Sequence, residues 1–376
     1  MIFKKNSFSK NSLNLLGFSS TLIFCADLIN SNLIYFTFIN YFILIFLSLK
    51  LVDLKKLNLT AIALSLVSLI FMFISCLKNI FDIEIFLKYV LILFSFFICV
   101  TPKRELNYSF FRYSIYYPLI FLLFIGILQI IIISFIPQLT YYDLGYHTRP
   151  IGLSVEPTFY SQQILILYVL SDNFKLRKEE SDKFSSIINL LVLVVILFCR
   201  TRTSLVGGLI YILINQKKIS KNFLLISSSS IIIGTNFIST ARDAFSYLFQ
   251  KIFNNFLSIK GEPREVVFQE MLFRINTLPI FGYGFNASPH KVGLMIGSLY
   301  ANLPISAIYT LGIGSIPFLA FLLFIFIEGF KKCDPKLLII ICIFIVPMPF
   351  LYSSFGLFSL IMSSYTKKYI NLKITS

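Results

Sequence analysis

Apolar runs of spanning length, broken by short polar stretches, recur along almost the whole chain. A membrane-crossing helix needs about 20 consecutive apolar residues. The runs predict helices near 12–30, 32–49, 59–77, 84–100, 113–136, 158–173, 185–199, 203–215, 222–238, 300–328, 337–349 and 351–366. They are continuously apolar, not alternating, which is the pattern of buried helices and not of barrel strands. The expected fold is all-α: a polytopic membrane protein of about 11–12 transmembrane helices, with residues 1–376 forming one integral membrane domain. Two polar segments interrupt the pattern on a larger scale, at 137–158 and at 239–299.

Composition narrows the class further. Of the 376 residues 57% are hydrophobic and only 13% charged, with mean hydropathy +0.83. A soluble domain carries about twice that charged fraction. Phe occurs 43 times and Trp not at all. A soluble globular enzyme, a disordered chain and a disulfide-stapled secreted domain are all excluded by this balance.

The net charge of +16 reads as topology. With the N-terminus inside, the inner segments hold Lys4, Lys5 and Lys10; Lys50, Lys55 and Lys56; Lys103, Arg104 and Arg112; Lys175, Arg177, Lys178 and Lys183; Lys217, Lys218 and Lys221; Lys331, Lys332 and Lys336; and Lys367, Lys368 and Lys373. Short cytoplasmic loops collect Lys and Arg in this way. Both termini are therefore expected inside and the two long polar segments outside. Nucleic acid is not an expected partner. The six Cys show no paired or metal-binding spacing, and two His are too few for a protein-built zinc site, so neither a metal nor a cofactor is expected.

Three polar constellations stand out. The first runs from Tyr141 to Thr158 and contains Arg149-Pro150-Ile151-Gly152-Leu153-Ser154-Val155-Glu156-Pro157. Arg149 is a planar five-donor fork suited to phosphate. Glu156 reads either as an acid favoured at a helix start or as a carboxylate facing a wet cavity. The second is Arg200-Thr201-Arg202-Thr203-Ser204 between two short runs. Arg200 can snorkel to headgroups or bind an anion, and Arg202 leads a helix with small residues that include Gly207 and Gly208. The third runs from Arg264 through Arg274 to Pro279-Ile280-Phe281-Gly282-Tyr283-Gly284, followed by His290. Arg264, Arg274 and His290 read equally as solvated loop residues. Tyr283 reads as a sugar-stacking ring or as part of an interfacial belt. No phosphate-binding glycine loop, His-Glu-x-x-His or Gly-x-Ser-x-Gly motif is present.

Taken together, the Arg-Pro-x-Gly-x-x-x-Glu-Pro segment, the Arg-Thr pair between short spans, and the Arg-led helix ending Pro-x-Phe-Gly-Tyr-Gly resemble bacterial O-antigen polymerases (Wzy-type) and, more distantly, O-antigen ligases. The likeness covers roughly 110–330. It implies a multi-spanning, metal-independent glycosyltransferase of the inner membrane, with its active face in the periplasm. Its substrates would be oligosaccharide repeat units on undecaprenyl diphosphate, and a chain-length regulator would be a possible partner. Residue by residue, the resemblance puts Arg149 and Glu156 in the first motif, Arg202 in the hairpin and Arg264 at the head of the late loop, with His290 a looser match. Glu156 or His290 would act as base, and Arg149, Arg200, Arg202, Arg264, Arg274 and Tyr283 would bind diphosphate and glycan. A ligase that transfers glycan to lipid A core, or a polysaccharide flippase, is the alternative.

Overall fold

The structure, a computed structural model, describes residues 10–26, 34–51, 59–76, 90, 94, 97–98, 101, 106–135, 149–154, 157–176, 182–201, 204, 207–208, 211 and 354–365. The described residues are mostly helical and contain no strand. The helices are α1 (Lys10–Cys25), α2 (Ile34–Leu51), α3 (Leu59–Cys76), α4 (Tyr108–Phe135), α5 (Pro157–Asn173), α6 (Asp182–Cys199) and α7 (Ser354–Ser363). Each lies on one of the apolar runs. Among the described residues, α4 alone is long and apolar enough to cross a membrane. The expected spans at 222–238, 300–328 and 337–349, and the loop 239–299, lie outside the described residues.

The chain divides into two compact units, Met1–Leu51 with Arg104–Phe245 and Val52–Lys103 with Ser246–Ser376. In the second unit, α7 is buried along nearly its whole length. Its hydroxyls bond back into their own helix: Ser359 donates to the Phe355 carbonyl at 2.7 Å and Ser363 to that of Leu360 at 2.7 Å. Such bonds back to the helix let polar side chains sit in apolar surroundings.

The first unit carries the segments with Arg149 and Arg200. Its helix α4 begins five residues earlier than the apolar run, at Tyr108 instead of 113. Arg112 is accommodated because its guanidinium lies over the rings of Tyr116 (5.8 Å) and Tyr117 (5.4 Å). Tyr108 also donates to the Leu176 carbonyl at 3.0 Å, just beyond α5, which fixes this end.

One turn of α4, Arg112–Tyr116, is a π-helix. The cause is Pro118, which has no N–H to give to the carbonyl four residues back and whose ring crowds it. That carbonyl, on Ser114, accepts instead from the Thr21 hydroxyl of α1 at 2.8 Å. Thr21 Oγ1 also lies 2.9 Å from the Gly17 carbonyl. Gly17 sits within α1's own ladder, so the hydroxyl hydrogen is needed most at Ser114. A backbone group left bare away from water costs several kcal/mol, and the side chain of a neighbouring helix removes that cost.

Helix α5 is central to this unit. Tyr160 faces α4, Ser161 and Tyr168 face α6 and the stretch after it, and Gln163 faces α1, where it donates to the Cys25 carbonyl at 3.1 Å. Its C-terminus is a Schellman turn: Leu176 N–H bonds to Ser171 O (2.9 Å) and Lys175 N–H to Asp172 O (3.0 Å). Lys175 takes the left-handed position there, at φ 54°.

The outward faces are as apolar as the inward ones. On α4, Phe121, Phe124, Leu128, Ile131 and Phe135 are exposed at helical spacing, while Leu119, Leu122, Leu123, Gly126 and Ile130 are buried. On α2 the exposed residues include Phe42, at 70%, and Phe46, and on α3 Leu66, Ile70 and Phe73.

Candidate functional site

Four helix ends meet at one end of the first unit. They are the C-termini of α1, α4 and α6 and the N-terminus of α5 (see the contacts of Cys25, Gln129, Cys199 and Gln163). The Arg149–Ser154 segment lies across this end, and its hold on the helices comes from three residues that a motif reading passes over.

Gln129 of α4 is the first. Its Oε1 accepts from Ile151 N–H (3.0 Å) and from Gly152 N–H (2.8 Å), while its Nε2 donates to the Gly152 carbonyl (3.0 Å). One carboxamide therefore satisfies three backbone groups of an irregular segment, a need that becomes acute where water is scarce. Ser154 N–H closes the turn onto the Ile151 carbonyl at 2.9 Å.

Tyr160 is the second. It is fully buried, and its hydroxyl donates to the Leu122 carbonyl at 2.6 Å. The ring and its oxygen lie between two glycines, Gly126 of α4 and Gly152 of the segment. A Cβ on Gly126 would strike the Tyr160 oxygen, and one on Gly152 would strike the ring. Gly152 also sits at φ +61°, which only glycine adopts at little cost.

Ser161 is the third. Its Oγ lies 2.7 Å from Thr201 Oγ1, 2.7 Å from Ser204 Oγ and 2.9 Å from the Thr158 carbonyl. A hydroxyl donates once and accepts twice. The pattern that satisfies all three contacts has Thr201 and Ser204 donating to Ser161, and Ser161 donating to Thr158. The hairpin after α6 is thereby fastened to the start of α5.

These fastenings join the segments that carry two of the sequence-selected arginines. The Cys199 thiol donates to the Pro150 carbonyl at 3.6 Å, so Arg149 and Arg200 each stand one residue from a shared contact. Both are half-buried, and the Arg149 guanidinium is close enough to Cys199 to act on it electrostatically. Arg200 occupies the left-handed position just past α6, at φ 53°, with its N–H on the Leu197 carbonyl at 3.1 Å. An L-residue there stores local strain. Glu156, Arg202, Arg264, Arg274, Tyr283 and His290 lie outside the described residues.

Two further polar groups were not singled out by the sequence. Gln162 is 1% exposed, and neither its amide nitrogen nor its oxygen has a hydrogen-bond partner. At the opposite end of α5, the Tyr211 hydroxyl donates to the Asp172 carboxylate, beside Tyr168, which donates to Asn189 Oδ1 at 2.8 Å. Among the described residues no heavy atom lies within 4 Å of where a Cβ on Gly208 would stand. Among the described residues no cluster of His, Cys, Asp or Glu is arranged to hold a metal ion.

No protein-family model, no curated protein and no solved structure matches the chain.

Proposed function

We propose that the chain is a polytopic inner-membrane glycosyltransferase that joins oligosaccharide repeat units carried on undecaprenyl diphosphate into an O-antigen or capsule-like polysaccharide at the periplasmic face. The observation that supports this reading is the Pro150–Cys199 contact, which joins the backbone segments that carry Arg149 and Arg200, about fifty residues apart in sequence. The distribution of Lys and Arg along the chain assigns that end of the helices to the outer side.

The membrane half of the reading rests on the outward faces. A helix exposed to water turns a polar face to it, whereas α2, α3 and α4 turn Phe, Leu and Ile outward. Among the described residues α4 alone combines the length and apolarity of a spanning helix; α2, α3 and α6, at 18 residues each, reach only the lower end of that length range.

The chemical half follows from the leaving group. The acceptor hydroxyl oxygen forms a bond to the anomeric carbon of the growing chain, and the bond from that carbon to the lipid diphosphate breaks. Undecaprenyl diphosphate departs with the electron pair, so negative charge grows on it in the transition state. Guanidinium groups fixed beside it stabilise that charge in a site from which water is excluded. Arg149 and Arg200 supply two, with Arg202, Arg264 and Arg274 as further candidates. The acceptor proton passes to a base, for which Glu156 and His290 are the candidates, at a gain of about 10²–10⁴-fold. Tyr283 is a candidate for stacking on a sugar face. The diphosphate is already an activated leaving group, so the reading calls for neither nucleotide nor metal.

The test replaces Arg149, Arg200, Arg202 or Arg264 by Ala and examines the length of surface polysaccharide. Single repeats on core in place of long chains are the expected result, and long chains in all four variants would refute the diphosphate role. A deletion strain with bare core would reassign the protein to ligation, and one that accumulates lipid-linked units on the cytoplasmic side would reassign it to transport.

A further inference from the structure

Gln129 is out of place by composition: a carboxamide two turns from the end of a long helix whose neighbours are Leu128, Ile130 and Ile131. All of its hydrogen-bonding capacity toward the Arg149 segment is used on two consecutive residues, Ile151 and Gly152. Gly152 is held in a left-handed conformation against the Tyr160 ring, so the segment has no slack on its other side. Arg149 lies two residues before this clamp, and Pro150, whose φ is fixed by its ring, links them. Pro150 is in turn bonded to the end of α6 through Cys199. The backbone beside Arg149 is therefore tied to rigid helices by hydrogen bonds from two side chains, Gln129 of α4 and Cys199 of α6, and Gln129 supplies three of the four.

We propose that Gln129 is the positioning residue of the anion site: it holds the backbone of Ile151 and Gly152 so that the Arg149 guanidinium is kept in place for a lipid diphosphate. This inference rests on the reading of Arg149 as a diphosphate ligand. Charge stabilisation depends on donors that are already in place, and a displacement of about 1 Å is enough to lose roughly tenfold or more. A carboxamide is the side chain of this length that accepts from two amides and donates to a carbonyl at once. Methionine has the same length and none of that capacity. Glutamate keeps the acceptor half.

The experiment uses the full-length protein in lipid nanodiscs. Binding of farnesyl diphosphate and of farnesol is measured for wild type, Gln129→Met, Gln129→Glu and Arg149→Ala, together with hydrogen exchange of a peptide covering 149–154. Wild type is expected to prefer the diphosphate over the alcohol. Gln129→Met is expected to lose amide protection at 151–152, to melt lower because three backbone groups lose their partner, and to lose roughly tenfold of that preference while farnesol binding by the folded protein is little changed. Gln129→Glu is expected to restore protection and part of the preference, which a purely structural role does not require. Lost protection with an undiminished diphosphate preference in Gln129→Met would overturn the positioning role, as would unchanged protection. An undiminished preference in Arg149→Ala would instead sink the diphosphate reading itself, and the role of Gln129 with it. The two failures are thus told apart by which variant is silent.

Discussion

Thr21 donates its hydroxyl hydrogen to the carbonyl of Ser114, the oxygen to which Pro118 has no N–H to give. The π-turn, the proline and the threonine are one feature in three parts. Thr21→Val is expected to lower stability by about 1–2 kcal/mol by leaving that carbonyl bare, with Thr21→Ser largely neutral. Pro118→Ala returns an N–H to the turn, so the cost of Thr21→Val should shrink in that background. Thermal unfolding of the four proteins in nanodiscs forms the double-mutant cycle, and additive penalties would show that the two residues are uncoupled.

The Tyr160 oxygen fills the space that a Cβ on Gly126 would take. Gly126→Ala is expected to cost about 1–3 kcal/mol through overpacking. Tyr160→Phe removes the blocking oxygen along with its bond to Leu122. The double variant should therefore melt higher than the sum of the single losses predicts. A simple sum would mean that α4 and α5 are held apart by something else.

Arg200 sits where glycine is the preferred residue. Arg200→Gly should keep or raise stability by about 0.5–1 kcal/mol, whereas Arg200→Ala keeps the strain. Both remove the guanidinium, and both are expected to shorten surface polysaccharide. A stable Arg200→Gly protein with full-length chains would show that this arginine is only an anchor to headgroups. The matched change Lys175→Gly, at the other end of α5, should give the same stability gain without touching chain length.

Gln162 leaves two buried polar atoms without partners, at a cost of about 1–3 kcal/mol. Gln162→Leu is expected to raise the melting temperature, because it removes that cost at similar volume. A lower melting temperature would mean that the amide is satisfied in the folded protein. Measuring polysaccharide length on the same variant shows whether the unpaired amide is kept for a sugar.

The described helices were legible in the sequence because a run of apolar residues is a local signal. The starts of α2, α3, α5 and α6 fall within three residues of the runs that announced them, and Pro157 opens α5 as a first-turn proline does. Arg112 misled the boundary of α4, because the rings that accept its charge are part of the same helix and were read only as apolar. Arg149 and Arg200 stood out as cations beside apolar runs, but nothing local said that their segments are joined. The fastening of those segments depends on Gln129, Tyr160 and Ser161, each of which reads in one dimension as a minor polar break. The pairs that matter are separated by 22 to 93 residues, and no periodicity spans that distance.

The Thr21–Ser114 bond also has an order in time. Ribosomes make proteins from the N-terminus, so Thr21 is synthesised 93 residues before the carbonyl it will serve. Gln129 likewise precedes Ile151 and Gly152, and Leu122 precedes Tyr160. In each case the rigid helical partner exists before the group that docks on it. The clamp around Arg149 can thus be finished while most of the C-terminal half is still to be translated, and nascent chains arrested shortly after Ser204 should already protect Gly152 from exchange.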